Sequence, residues 1–315
     1  MKAFIALTVI GLASVAYLGL FSEDTTLNSE FQNFIQTHKV SYANSAEYEF
    51  RQKAFEKNLE KIARLNKANP LATFGINKFA DRTEEELESM LTKRSSDDNG
   101  SCKAYTPEGS PQTISWADFM GAYKDQGNCG ACWCFASAAV AEGRYAISQG
   151  ITDKVTTRFA EQQLLDCNGF PQMGCNGGVE ARAFQFYQKN DICLQDGYEY
   201  KAKKGKCQKC STGIRATSCT NLAKVNSEIV TELQSGPVDI GVDASSWPYY
   251  TGGIMTDCSG RGNNHAVTLV GFNSNEGTVS IRNSWGGDWG EDGIIRLDYS
   301  NNACGWTGDA HSLRF

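Results

Sequence analysis

The chain has 315 residues, 41% hydrophobic and 21% charged, with a net charge of −6 and a pI near 5.3. This is ordinary globular composition with enough apolar residues for a full core, and without a basic stripe it lends no electrostatic support to nucleic-acid binding. Twelve cysteines point to an oxidising compartment.

Lys2 is followed by an uncharged run, Ala3 to Phe21, with Ala13, Ser14 and Ala16 small enough to precede a cleavage point. Residues 1–22 therefore read as a secretory signal cut near 16–22. An uncleaved anchor is the alternative, because the run approaches spanning length. No other segment is long and apolar enough to span, so no stable membrane span is expected once the signal is gone. From about Asn28 to Met90 the pattern is charged and helical. Phe31, Phe34 and Ile35 mark a first short helix. A second runs from Ser45, a suitable N-cap, to about Asn69, where Pro70 stops it. Along it Glu47, Arg51, Phe55, Asn58, Ile62 and Asn66 recur at steps of three and four, which places them on one stripe. Gly75, Asn77, Phe79 and Asp81 follow, and Thr83 caps a third helix, Glu84 to Leu91, with acidic residues in its first turn. Lys93 to Pro111 is a Ser, Asp, Asn, Gly and Pro-rich linker open to cutting. It carries the glycosylation acceptor Asn99-Gly100-Ser101.

Gln126-Gly-Asn-Cys129-Gly-Ala-Cys132-Trp-Cys134-Phe135 is a tight polar turn running into an apolar helix. That helix should be buried. Cys132 falls on its first turn, where unpaired N–H groups and the helix dipole lower a thiol's pKa. Gln126 supplies an amide donor for a developing oxyanion. Read alone, Cys129 and Cys132 have a plainer alternative, an ordinary disulfide or a redox or metal pair. Helical signals continue over Arg158–Asp166 and Val179–Gln188. Strand-like runs follow over Val238–Val242, Ala266–Phe272, Thr278–Arg282 and Ile294–Leu297. Helices first and strands later predict an α+β protein with two packed subdomains, and a cleft between them is a natural site. A cysteine nucleophile needs a base. His38 lies in the forepart and His311 near the C-terminus, whereas His265 stands 133 residues beyond Cys132 at the entrance of an apolar strand. Such a base needs an orienting group, and Asn283 stands 151 residues beyond Cys132 in Arg-Asn-Ser-Trp285-Gly.

The Gln-Gly-x-Cys-Gly-Ala-Cys-Trp segment, with His and Asn at these distances, resembles the papain-like cysteine peptidases. The Glu47–Asn66 stripe and the Gly75-x-Asn-x-Phe-x-Asp81 pattern resemble the pro-region of their cathepsin L-like branch. The resemblance covers nearly everything after the signal. It implies a papain-like two-subdomain fold, helical on one side and β-barrel-like on the other, preceded by a small helical inhibitory prodomain. The expected organisation is signal 1–22, prodomain and processing linker 23–109, and mature peptidase 110–315. The implied chemistry is acyl transfer by a Cys132 thiolate paired with His265, with Asn283 orienting the imidazole, Gln126 in the oxyanion hole and Trp285 shielding the Asn–His hydrogen bond. Gly177 and Gly178 would form the backbone edge that pairs with an extended substrate. Val179, Glu180, Gly241, Asn263 and Asp309, with Asn264 beside the base, match substrate-binding positions. Glu180 and Asp309 would let the pocket for the second residue before the scissile bond accept Arg or Lys as well as bulky apolar side chains, unless they point to solvent.

The resemblance also implies disulfides Cys129–Cys175, Cys167–Cys207 and Cys258–Cys304. Cys102, Cys134, Cys193, Cys210 and Cys219 are left unassigned, an odd number that leaves at least one free or bound to another chain. Cys134 is expected to be a buried, inert thiol. No cofactor and no metal are expected. The expected partners are protein or peptide substrates, the chain's own prodomain as intramolecular inhibitor, and cystatin-like inhibitors, with the enzyme a monomer in a lysosome or acidic vacuole, or secreted. Two rivals differ in class: a four-thiolate zinc site from Cys129, Cys132, Cys207 and Cys210, and an inactive homologue used for binding.

Overall fold

The computed structural model describes residues 27–91, 102–169, 172–258, 260 and 262–315. The signal segment and the Asn99 acceptor lie outside the described residues. Among the described residues no helix is long and apolar enough to cross a membrane. The chain divides into two units, Met1–Ala63 with Ile76–Arg82, and Arg64–Gly75 with Thr83–Phe315.

In the first unit a helix over 27–38 (α1) packs its predicted stripe against the first part of α2 (Ser45–Ala68). Phe31, Phe34, Phe55 and Ala80 form the core, flanked by Tyr42 and Tyr48. The N-cap differs from expectation by one residue: Asn44 Oδ1 accepts from the Glu47 N–H at 3.0 Å, and Ser45 is already helical. An amide oxygen one position earlier reaches the first-turn N–H that Ser45 was expected to cap. The polar members of the stripe grip the segment after it. Asn58 Nδ2 donates to the carbonyls of Ala80 and Arg82, both at 2.8 Å, and Arg51 donates to the Asp81 carbonyl.

In the second unit Asn66 pairs by both side-chain atoms with the Phe74 backbone, fixing β1 (Ala72–Phe74). Thr83 caps α3 (Glu84–Met90) with a full capping box closed by Glu86. β2 (Lys103–Tyr105) and β3 (Ile114–Ser115) precede the helical half. That half is built from α4 (Cys132–Ser148), α5 (Glu161–Cys167) and α6 (Glu180–Lys189). After β4 (Ser218–Leu222) and α7 (Asn226–Leu233) come β5 (Val238–Val242), β6 (Tyr250–Met255), β7 (His265–Asn273), β8 (Thr278–Arg282), β9 (Ile294–Asp298) and β10 (Ala310–Arg314). The strands form one sheet in the order β1-β6-β9-β8-β7-β5-β10-β4-β2, with β3 on β7. α4 is buried along nearly its whole length, as an apolar helix without a polar face must be. Its core continues through Leu164, Phe184 and Tyr187 to Ala266 and Leu313 on the sheet. The fold is α+β, two halves meeting along α4.

Five disulfides join Cys102–Cys219, Cys129–Cys175, Cys167–Cys207, Cys193–Cys210 and Cys258–Cys304. Cys132 and Cys134 take part in no disulfide.

Candidate active site

The turn before α4 is folded by local bonds. Gly127 has φ 59°, the left-handed region that a side chain disfavours, and its N–H donates to Asp125 Oδ1 at 2.8 Å. The Cys129–Cys175 disulfide and a bridge between Gly130 and Asn176 then lock the turn to the 172–178 loop. Cys132 is thereby fixed as the first residue of α4, fully buried. Trp133 beside it donates from Nε1 to the Gly174 carbonyl at 3.1 Å. A Cβ on Gly178 would lie 2.4 Å from the Trp133 ring, so only glycine brings this backbone so close. The Val179 backbone is clamped by Gln172 through two hydrogen bonds.

His265 opens β7, which packs on α4. His265 Nε2 meets Asn283 Oδ1 at 2.7 Å in a buried contact. An amide oxygen only accepts, so this pairing assigns the proton to Nε2 and leaves Nδ1 for the other side of the ring. Asn283 Oδ1 is held in turn by the Ser284 N–H at 2.8 Å. Trp285, 1% exposed, stacks on the imidazole with centroids 5.1 Å apart, and Trp289 meets Trp285 edge-on. Trp247 meets the imidazole edge-on at 6.2 Å. Excluding water in this way strengthens the Asn–His hydrogen bond.

Gln126 connects the two halves. Its N–H donates to the Ser284 carbonyl, its Oε1 accepts from Ser284 Oγ at 2.6 Å, and Asp125 bridges Trp285. Nε2 donates to the Cys129 carbonyl at 2.9 Å and to the Met90 carbonyl, at the end of α3, at 2.8 Å. The oxyanion donor of the sequence reading thus holds a carbonyl from the segment that precedes the peptidase domain.

The thiol opens a buried helix that packs on the strand opened by the imidazole, and Asn283 and Ser284, neighbours in sequence, bind the imidazole and the Gln126 amide respectively. Residues 110–313 match the family model described as papain family cysteine protease, and residues 31–87 match the cathepsin propeptide inhibitor domain. The chain belongs to the papain family of cysteine proteases. It is a cysteine-type peptidase that carries a cathepsin propeptide. It is 36% identical over 293 residues to a viral cathepsin of Spodoptera exigua nuclear polyhedrosis virus, covering 87% of this chain and 85% of that protein. It is 37% identical over 292 residues to cysteine proteinase 3 of Entamoeba histolytica, covering 87% and 90%. Among solved structures it resembles digestive procathepsin L 3 of the Tenebrio molitor larval midgut, with a TM-score of 0.80, 27% identity and coverage of 92% and 99%. It likewise resembles a recombinant stem bromelain precursor, with a TM-score of 0.82, 30% identity and coverage of 92% and 99%.

The substrate-side positions are brought together only in part. The Gly241 N–H donates to the Asp309 carbonyl at 2.9 Å, and the Asn263 amide packs against Gly305 and Gly308, so these three share one corner of the sheet. Glu180 is fully buried in the first turn of α6. The Asp309 side chain is 16% exposed, so neither carboxylate simply faces solvent. Asn264 is engaged elsewhere: its side chain accepts from the Ala244 N–H and donates to Ser245 Oγ, both in the loop after β5. The four-thiolate zinc arrangement is not formed, since Cys129, Cys207 and Cys210 are each oxidised to a different partner. Cys134 is fully buried, and burial pushes its thiol well above the ordinary range, with the nearby Cys132, Glu161 and Glu180 adding to the effect. Its burial agrees with the expectation.

Several residues here escaped sequence reasoning. Ser284 and Tyr200, whose hydroxyl donates to the Gln126 carbonyl at 2.9 Å, hold the oxyanion turn. Lys124 forms a buried cluster with Glu142 and Glu161, where desolvation raises the Glu161 carboxyl above its usual range although Lys124 lowers it. His311 lies between two carboxylates, Nδ1 at 3.6 Å from Asp239 and Nε2 at 3.5 Å from Asp309. No periodicity signals that arrangement, which exists only because β10 pairs His311 directly opposite Asp239 on β5.

Proposed function

We propose that the chain is a cysteine endopeptidase of the secretory pathway, acting in an acidic vacuole or lysosome or after export, and made as an autoinhibited zymogen. The observation that carries the reading is the 2.7 Å contact of His265 Nε2 with Asn283 Oδ1 beneath Trp285, on the strand packed against the helix that Cys132 opens. With Nε2 occupied by Asn283, Nδ1 is the nitrogen that exchanges a proton with the substrate. The Cys132 thiolate attacks the peptide carbonyl carbon, and the oxyanion is received by the Gln126 amide and the N–H groups of the first turn of α4. The imidazolium gives its proton to the leaving amine as the C–N bond breaks, leaving a thioester. Water then gives a proton to the imidazole, attacks the thioester, and releases the acid while the thiolate re-forms.

Inhibition follows from the same donor: while Met90 holds the Gln126 amide, no substrate carbonyl can use it. Residues 23–109 are read as prodomain and linker, and the enzyme as a monomer open to cystatin-like inhibitors in the same cleft. Asp309, beside Gly241, is read as the carboxylate that lets the substrate pocket take Arg as well as bulky apolar residues, with Val179, Glu180 and Asn263 as its other contributors and Gly177–Gly178 as the backbone edge.

The test is labelling by a peptidyl epoxide after acid activation. One equivalent bound at Cys132 by peptide mapping, with activity on a Phe-Arg fluorogenic substrate lost in step and labelling lost in His265→Ala, is expected. Labelling at Cys134, or activity that survives full labelling of Cys132, would overturn the assignment.

A further inference from the structure

Processing was expected near Ser110, with Cys102 either leaving with the prodomain or tethering a retained pro-segment to the mature enzyme. The structure fastens part of the linker to the peptidase domain. Cys102 is joined to Cys219 on β4, with Cα atoms 4.9 Å apart. The next three residues, β2, run parallel to β4 in register Lys103↔Thr220, Ala104↔Asn221 and Tyr105↔Leu222. The Arg314 guanidinium lies over the Tyr105 ring at 5.6 Å, and Cys102 packs against the same core that holds Cys132 and Cys219. Downstream the chain stays attached, with the Gln112 carbonyl accepting from Gln234 and Thr113 bonded to Ser274.

From these contacts we propose that residues 102–109 are a permanent part of the mature enzyme, its N-terminal strand, retained by the Cys102–Cys219 bond. The proposal rests on the zymogen reading above and moves the working boundary of the enzyme from residue 110 to the N-terminal side of Cys102. The disulfide is the decisive element. All three residues of β2 are exposed, and a three-residue edge strand that buries so little would fray if pairing alone held it. Thr106, Glu108 and Gly109 are exposed too, so a protease could reach the backbone there. A cut at that point would still leave residues 102–109 attached through sulfur. In either case β2 covers the edge of β4, which would otherwise present unpaired N–H and C=O groups to another chain.

Intact mass measured with and without reductant decides this. The full-length zymogen is matured at acid pH, and a Cys132→Ala chain is trimmed with pepsin in parallel, so that cutting does not depend on the enzyme's own activity. In both samples the unreduced core is expected to contain residues 102–109, with a Cys102–Cys219 peptide in its map. A core that has lost them before reduction overturns the proposal. If that core still takes one equivalent of epoxide at Cys132, the peptidase reading stands and only the retention fails. A core that keeps the segment but takes no epoxide fails the other way. In Cys102→Ala/Cys219→Ala the segment is expected to be trimmed back to near residue 110; an unchanged N-terminus in that variant would remove the disulfide from the argument.

Discussion

Replacing Gln126 with alanine tests the oxyanion assignment quantitatively. The amide is held on three sides: Oε1 by Ser284 Oγ at 2.6 Å, one Nε2 bond to the Cys129 carbonyl at 2.9 Å, and the other to the Met90 carbonyl at 2.8 Å. When the prosegment leaves, the Ser284 and Cys129 bonds keep the amide in place, and the remaining N–H points to where the Met90 oxygen stood. A substrate oxyanion bears more charge than a carbonyl, so the bond gains strength in the transition state. Loss of one such donor costs about 2.7–4 kcal/mol, or roughly 10²–10³ in kcat, while KM should move by no more than about threefold. The same substitution removes one neutral hydrogen bond from the prosegment, about 0.5–1.5 kcal/mol net, so the isolated prosegment should inhibit about two- to twelvefold more weakly. Steady-state hydrolysis with active sites titrated by epoxide measures the first effect, and inhibition by added prosegment peptide measures the second. Thermal denaturation controls for the lost Ser284 contact. A titrated variant with kcat within about threefold of the parent would refute the oxyanion role, and a loss confined to KM would reassign Gln126 to ground-state binding.

Three further predictions follow from the charges. Asp309→Ala should lower kcat/KM for an Arg-Arg dipeptide substrate about tenfold relative to Phe-Arg, the effect of one partly buried charge pair; an unchanged ratio, or negligible Arg-Arg turnover in the parent, would remove Asp309 from the pocket. Glu232 is held below the usual carboxylate range because Arg144 and Arg314 outweigh the desolvation that would raise it. A depressed folded-state pKa gives stability above the unfolded value of about 4.3 that is lost as pH falls through the folded value. Glu232→Gln should therefore flatten the acid limb of the stability curve and cost about 3–5 kcal/mol near neutrality by leaving Arg144 buried without its carboxylate; a parent-like acid limb in chemical denaturation would contradict this. In the propeptide unit the Tyr42 hydroxyl donates to Asp81 Oδ2 at 2.9 Å. Asp81→Ala removes that acceptor and should loosen the unit by about 1.5–3 kcal/mol, the worth of a hydrogen bond to a charged group, read as faster zymogen conversion at fixed pH. A parent-like conversion rate would remove this contact from the inhibitory fold.

What the sequence made legible was whatever local chemistry determines. β5 and β8 have the predicted bounds, because short β-branched runs between glycines have few alternatives. α3 is written in its capping box. β10, Ala-His-Ser-Leu-Arg, carries no apolar alternation and exists because β5 and β4 pair with it from either side. β2 depends on a disulfide 117 residues long in sequence, which no window can contain. α7 was readable and missed: Ile229, Val230 and Leu233 fall at helical spacing behind Asn226. The proposed stations Cys132, His265, Asn283 and Gln126 were legible through their resemblance to the family's motifs. The residues that hold them, Ser284, Tyr200 and Trp247, were not, since their roles arise from contacts between distant segments.

Many contacts around Gln126 and His265 come from five consecutive residues. Arg282 ends β8 with its guanidinium over the Tyr123 ring, 4.2 Å from the centroid, and donates to the Ala122 carbonyl. Asn283 orients His265, Ser284 holds Gln126, and Trp285 stacks on the imidazole and bridges Asp125. Gly286 donates to the Lys124 carbonyl at 2.9 Å. Residues 122–126 and 282–286 are therefore laid side by side, so Gln126 and the Asn283 that binds His265 are held by one frame. Lys124 carries that coupling into the helical half through Glu142 on α4 and Glu161 on α5, and α4 positions the thiol. Positional accuracy at three residues on separate elements thus comes from one pair of facing segments and one buried charge cluster.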